Sequence, residues 1–409
     1  LLINWSESTA LMKIFPDYQN QSLTEHEVFG LSVKYNLADG HSYISAKKHF
    51  GPVLRNLPEL WDSAVETPIP QMERIFKDIF ADYFALPGLK QHEHFSVCPT
   101  ASNSIDIVGA WARSRNIKIG LVEPTFDNLA QLLRRREVML EALPENVFSN
   151  LDLLEEVIKE KDLGAVFMVN PNNPTGFVID AVMMKGIIGL CERLNVILML
   201  DTSFRFCHKT HIDEYELLIA SGASFIILED TGKQWPTLDT KASLLSYSEN
   251  LAREIRAIYE EIYLCCSNFS LRVIIAFIGA TLKKGGLPYV HSIIETNVQI
   301  AKSQLAGTLV DVECPHLESR MAVIWLNIER TGLSDLELTN YLATYDVAVL
   351  PGRYFFWNSH EAAGHDRIRI AIMKPDDQFS FSISCLRQAL LELESTKVFN
   401  ANQVKEAVV

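Results

Sequence analysis

Six side chains fall where apolar segments of the sequence end, and their types complement one another. "VILMLD" (196–201) closes on Asp201, and "EDTGK" (229–233) carries Lys233 just past the end of another apolar run. "NPNNPTG" (170–176) supplies Asn173 in a turn stiffened by Pro174 and Gly176, and "EPTFDN" (123–128) offers the ring of Phe126. "CPTASNS" (98–104) offers Thr100, Ser102 and backbone N–H groups where a helix begins, which suits a phosphate. Singly, each has a plainer reading: a strand-end aspartate caps a helix, a phenylalanine packs in a core and a lysine faces water. In this order, each at a strand end, they supply an amine for a Schiff base and a carboxylate to keep a pyridine nitrogen protonated. They also supply an amide for a ring oxygen, a stacking ring and a phosphate cradle. Those are the demands of pyridoxal 5'-phosphate.

The elements that must position them form an α/β pattern. Apolar strands at 95–99, 117–124, 165–171, 196–201, 225–230 and 242–248 alternate with helical stretches such as 127–136 and 181–194. Strands this apolar, separated by helices, predict a mostly parallel sheet covered on both faces, with ligands at the carboxyl ends of its strands. A long helical region (about 250–310) precedes an α+β segment. That segment comprises "MAVIWLNI" (321–328), a helix over 334–345, "VAVLPG" (347–352), "RIRIAIM" (367–373) and a helix from about 377 to 395. The division expected is an N-terminal arm or lid over 1–45, with a short amphipathic piece at Leu11–Phe15, a large cofactor domain over 46–310 and a small domain over 311–409 that takes in part of the N-terminal segment. With 409 residues, 48% of them hydrophobic, the chain can bury a large core. A net charge of −14 disfavours nucleic-acid and anionic-membrane partners and favours cationic small substrates. Seven cysteines without metal-ligand spacing fit a reducing cytoplasm. No apolar run reaches the length of a membrane span, and no signal-peptide pattern is present.

From about residue 34 to 395 these strings resemble the fold-type I, aminotransferase-like family of pyridoxal phosphate enzymes. The resemblance implies that Lys233 carries the cofactor, that Asp201 pairs with the pyridine nitrogen, that Asn173 bonds the phenolic oxygen and that Phe126 stacks. Thr100, Ala101 and Ser102 then hold the phosphate. Four positions depart from the usual pattern. Lys241 stands where most members have a phosphate-gripping arginine, and Asp230 and Gly232 replace two serines. Phe204 replaces a tyrosine whose hydroxyl bonds the cofactor.

A narrower resemblance covers the departures. "LTEHEVFGLSVKYNLADGH" (23–41), "DTSFR" (201–205) and "EDTGKQWPTLDTKASLL" (229–245) are similar to pyridoxal phosphate enzymes that oxidise L-arginine with dioxygen in natural-product biosynthesis. This implies a flexible N-terminal helix that folds over the site when substrate binds, with Thr24, Glu27, Asp39 and Asp230 around the guanidinium and His41 near the reacting side chain. A guanidinium is planar, permanently charged and rich in donors, so carboxylates along its edge are the matching chemistry. For the substrate carboxylate the fold uses a small-domain strand arginine. "DRIRIAI" offers Arg369, favoured by its distance to the last helix, and Arg367 as the alternative. The expected reaction starts with Lys233 removing the Cα proton. It passes electrons to dioxygen and releases ammonia, hydrogen peroxide and either 4-hydroxy-2-ketoarginine or the 4,5-didehydro keto acid, with His41 handling the proton or water at Cγ. Rival readings are a guanidino-amino-acid cyclase or dehydratase of the capreomycidine-forming kind, an ordinary aminotransferase and a ligand-sensing module. The last needs a DNA-binding extension that the sequence does not display. The fold resemblance also implies a homodimer.

Overall fold

Runs such as Ala165–Val169 and Phe225–Asp230 are buried at every position, as strands covered on both faces must be. A computed structural model describes residues 22–237, 240–313 and 319–406. The expected amphipathic piece at Leu11–Phe15, residues 1–21 of the arm, Cys314 and residues 238–239 of the "WPTLDTK" string lie outside the described residues. The strands in chain order are β1 (Tyr35–Asn36), β2 (Phe95–Cys98), β3 (Ile119–Glu123), β4 (Leu140–Pro144), β5 (Ala165–Val169), β6 (Ile197–Asp201), β7 (Phe225–Asp230) and β8 (Ser243–Tyr247), then β9 (Asp311–Glu313), β10 (Val323–Asn327), β11 (Val347–Ala348), β12 (Leu350–Pro351) and β13 (Arg367–Ala371).

Seven of them form one sheet in the order β2-β8-β7-β6-β5-β3-β4, in which β8 alone runs against its neighbours. The sheet is therefore mostly parallel, as the apolar runs predict. β4 was not legible in the sequence, because "LEALP" is a half-exposed edge strand ending in proline and lacks the continuous apolar character of its neighbours. The helical region after β8 is three helices, Glu249–Ile262, Asn268–Lys283 and Leu287–Leu305, the middle one packed against Ile69–Phe84. Among the described residues no single helix is long and apolar enough to cross a membrane, although the last two, joined at an 85° bend, pass that test as a pair on length and composition.

The second sheet, β12-β13-β10-β9, is antiparallel. "VAVLPG" divides between two sheets. β11 pairs with β1 of the N-terminal segment, while β12 joins β13. The final helix runs from Asp376 to Glu406, longer than its apolar pattern alone marks. Helix α1 (Leu23–Gly30), capped by the Ser22 hydroxyl, lies against β11, β12 and α3 (Asp127–Arg135). A small apolar cluster of Leu23, Ala38, Trp325, Leu350 and Phe355 glues it there.

Under the carboxyl end of β6 lies a buried ion network. Arg205 donates through Nε and Nη2 to Glu229 on β7, at 3.0 and 2.8 Å, and through Nη1 to Glu214 at 2.7 Å. Tyr215 also donates to Glu229 at 3.1 Å. Burial raises the Glu229 carboxyl, and the Arg205 charge opposes that rise. Removing the cation strands two buried acids. Arg205→Met should therefore cost about 3–5 kcal/mol, read as a lowered urea-unfolding midpoint. A midpoint equal to that of the unmodified protein would show the network to be dispensable.

Candidate active site

The carboxyl ends of the parallel strands open onto a cavity of about 150 Å³ between the large sheet and the antiparallel one. On one side, β2 leads through Pro99 into α2 (Ala101–Ser114). Thr100 is its N-cap and accepts from the Asn103 N–H at 3.1 Å, and Thr100, Ala101 and Ser102 at this helix start line the cavity wall. Phe126 sits at the turn from β3 into α3, its ring edge-on to Phe355 at 6.3 Å. Asn173 follows β5, and its buried Oδ1 has no partner. Asp201, at the end of β6, accepts from the Ser203 N–H at 2.9 Å. Burial pushes its carboxyl above the usual range, with Asp230 adding to the shift and Lys233 opposing it. Phe204 is buried and stacks on Phe206 at 6.1 Å. Asp230 ends β7, with one oxygen accepting from Gly232 N–H at 2.9 Å, and Lys233 follows in the loop.

On the other side, the "ADGH" segment crosses from the small sheet to the lysine loop. Leu37 N–H donates to Ala348 O, Ala371 N–H to Leu37 O, and Ser42 N–H to Gly232 O. Asp39 is buried and receives His41 Nδ1 at 2.6 Å and the Tyr43 hydroxyl, while its own carbonyl accepts from Lys374 Nζ at 2.7 Å. Burial alone would raise the Asp39 carboxyl. The His41 contact, with Lys374 and Lys233 nearby, instead holds it well below the usual range. Burial also pushes the Lys374 amine down to about 8.

The structure thus brings Thr100, Ala101, Ser102, Phe126, Asn173, Asp201, Phe204, Asp230, Lys233, Lys241, Glu27, His41 and Arg369 to one cavity. Thr24 and Asp39 do not line it: Asp39 lies behind His41, and Thr24 sits three residues before Glu27 on α1. Arg367 and Arg369 share a strand and diverge in fate. Arg367, at the strand's open end, pairs with Glu313 and Asp366, whereas Arg369 is buried in the cavity wall. Lys241 has a partner that the sequence did not suggest, lying with Nζ 2.9 Å from His41 Nε2. The glycine at 232 fits that contact. A Cβ there would lie 3.0 Å from Lys241 Cδ and 3.1 Å from His41 Cδ2.

Sequence reasoning missed several supporting groups. Lys374, between an apolar strand and Pro375, carries no signal separating it from a solvated lysine. Glu145 joins the two loops that carry Phe126 and Asn173. It accepts from Asn172 Nδ2 at 2.6 Å and from the Thr175 hydroxyl, while Asn172 also receives Thr125 Oγ1 at 3.0 Å. Burial raises its carboxyl to about 7.

The sequence model for "Aminotransferase class I and II" matches residues 91–378. The chain belongs to that family. Among curated relatives of this aminotransferase family, histidinol-phosphate aminotransferase of Clostridium novyi (strain NT) is 24% identical over 57% of this chain, and the chain spans 63% of that enzyme's length. Among solved structures, MppP soaked with the product 2-ketoarginine is 30% identical with a TM-score of 0.78, covering 86% of this chain and 98% of that one. The α-aminoadipate aminotransferase LysN of Thermus thermophilus shares the fold at 17% identity and a TM-score of 0.72, over 96% of this chain and 100% of that one. The chain is accordingly a fold-type I pyridoxal phosphate enzyme of the aminotransferase class, similar to MppP.

Asp127 ties α1 to this site. Its Oδ2 accepts from Leu23 N–H at 3.0 Å and from Gln131 Nε2 at 2.9 Å. Burial raises its carboxyl to about 7, with Leu23 N–H opposing and Glu27 adding. A carboxyl raised in the docked state binds its proton more tightly there than in water. Its contribution to docking is therefore full below the ordinary carboxylate range near 4 and is lost as the pH rises to about 7. Amides of residues 23–30, corrected for intrinsic exchange, should be better protected at pH 5.5 than at 7.5. Asp127→Asn should flatten that difference, and a steep dependence surviving in the variant would assign it to another group.

Proposed function

We propose that the chain is a pyridoxal 5'-phosphate-dependent oxidase of free L-arginine. It consumes dioxygen and releases ammonia, hydrogen peroxide and either 4-hydroxy-2-ketoarginine or 4,5-didehydro-2-ketoarginine. The observation that carries the reading is one cavity holding a buried Arg369 together with two carboxylates, Glu27 and Asp230, and with His41. That set offers an anchor for an α-carboxylate and acids for a guanidinium. The likeness to MppP supports the same reading.

The residues present fit the cofactor. Asn173 has a buried amide oxygen without a partner, and Asp201 is a buried carboxylate whose charge a ring N–H would restore. The start of α2, Thr100 and the Lys241 amine suit a phosphate, and Phe126 suits a ring face. When bound, pyridoxal phosphate condenses with an amine and spreads the electron pair left at Cα over its ring, supplying the electrons that reduce dioxygen.

The chain's own groups do the rest. Arg369 holds the α-carboxylate, and Glu27 and Asp230 face the guanidinium. Lys233 Nζ takes the Cα proton. His41, its Nδ1–H fixed on Asp39, has Nε2 as the atom that moves a proton to or from water at Cγ, a role that requires Lys241, 2.9 Å from that nitrogen, to turn to the phosphate. Phe204 brings no hydroxyl where a tyrosine would place one. Helix α1 and the segment behind it cover the cavity and limit water. Forming the ketone and oxidising the side chain each remove two electrons. Either product therefore takes two dioxygen and returns two hydrogen peroxide per arginine. The same reading places a lid over 1–45, a large domain over 46–310 and a small one over 311–409, in a homodimer.

Holoenzyme in an oxygen electrode should take up dioxygen only when L-arginine is added. Amino transfer to a 2-oxo acid without oxygen uptake would make it an aminotransferase instead. His41→Ala should shift the product toward the non-hydroxylated keto acid by mass spectrometry, by roughly the 10²-fold or more expected of a lost acid–base group. An unchanged product ratio would remove His41 from the chemistry.

A further inference from the structure

Phe126 and Asn173 reach the cavity from two different turns, and the residue before each, Thr125 and Asn172, is fully buried. Asn172 spends its amide on joining those turns. Its Oδ1 receives Thr125 Oγ1 at 3.0 Å, and its Nδ2 donates to Pro124 O at 2.6 Å. The second Nδ2 hydrogen goes to Glu145 Oε1, also at 2.6 Å, and the same oxygen receives the Thr175 hydroxyl. Thr175 Oγ1 in turn accepts from Phe177 N–H at 3.1 Å. The sheet delivers the acid to this spot. β4 pairs in parallel with β3 so that Pro144 lies opposite Glu123, which brings Glu145 and Pro124 out of the sheet together. Glu145 itself does not line the cavity, whereas Thr125, Phe126 and Asn173 do.

We propose that Glu145 is a positioning residue for the cofactor: by binding Asn172 and Thr175, on either side of Asn173, it aims the Asn173 amide at the phenolic oxygen and fixes that amide relative to the ring of Phe126. Phe204 offers no hydroxyl to share the contact, so the placement of one amide decides it. Without Glu145 the Asn172 amide and the Thr175 hydroxyl each lose an acceptor. Leaving such donors unpaired is costly, so the turn that carries Asn173 shifts instead. The link between cofactor and lysine carries a proton, and a donor on the phenolic oxygen favours the state in which that proton has left. Loosening the donor therefore raises the pH at which it leaves. The inference rests on Asn173 facing the phenolic oxygen and on nothing about the substrate.

The test is a pH titration of the cofactor's visible absorbance in substrate-free holoenzyme. Glu145→Met should raise the midpoint by roughly one pH unit, the worth of a hydrogen bond to a charged oxygen. Asn173→Ala should raise it at least as far. The double variant should go no further than Asn173→Ala, because the one residue acts through the other. Glu145→Gln keeps an acceptor oxygen and should stay at the unmodified value. A charge effect has the opposite sign, since removing an anion weakens the hold of a nearby cationic group on its proton. A midpoint that falls or stays in Glu145→Met, that moves as far in Glu145→Gln, or that rises additively in the double variant overturns the proposal. No shift in Asn173→Ala overturns it as well, by removing Asn173 from the phenolic oxygen. Should Glu145→Met not fold, Thr175→Val removes one of the two donors at nearly equal volume and should move the midpoint the same way; an unmoved midpoint there overturns the proposal too. Neither L-arginine nor dioxygen enters the titration, so failure of the oxidase reading is seen separately.

Discussion

One stretch of backbone, from Tyr35 to Tyr43, is hydrogen-bonded to both halves of the site. Tyr35 and Leu37 donate to Asp346 and Ala348, Leu37 receives Ala371, Tyr43 donates to Met373, and Ser42 donates to Gly232 one residue before the lysine. Backbone hydrogen bonds therefore fix this span to both the Arg369 wall and the Lys233 wall, and the Arg369 and Lys374 side chains add bonds to Ala38 O and Asp39 O. Asp39, Gly40 and His41 are carried on the span between those fixed points. Their hydrogen bonds follow from the path the backbone is obliged to take.

Charged and polar groups around that span are linked in short chains. Glu27 faces Arg369, Lys374 caps the Asp39 carbonyl, Asp39 holds His41, and His41 meets Lys241. Within them Arg369 and His41 each have a carboxylate as local counterweight. Further out, Asp127 and Glu145 are acids raised to about 7 by burial; Asp127 holds helix α1, which carries Glu27, and Glu145 ties the loops that carry Phe126 and Asn173. The site is thus ringed by groups whose protonation alters how firmly its walls are tied.

Much of this was legible in the sequence, for an identifiable reason. Asp201, Asn173, Phe126 and Thr100 lie at ends of strands whose apolar runs are unmistakable, so their convergence follows from a parallel sheet. The small-domain strand with its two arginines was legible too. Their separation was not, because it depends on Arg367 reaching Glu313 and Asp366 at the strand's open end. β4 escaped because an edge strand needs little apolar character. Lys374, Glu145 and the Lys241–His41 contact escaped because their meaning lies in partners 27 to 335 residues away along the chain. Thr24 illustrates the reverse: its neighbourhood in sequence pointed to the site, but helix α1 places Glu27 on the cavity and leaves Thr24 off it.

The bare backbone at Gly232 has a bearing on how such a site can arise. A Cβ there would crowd both His41 and Lys241, so what position 232 accepts depends on how those two side chains lie. With a larger residue at 232, His41 and Lys241 would meet only after one of them gave way by a few tenths of an ångström. Building the contact is therefore easier when the glycine is in place first.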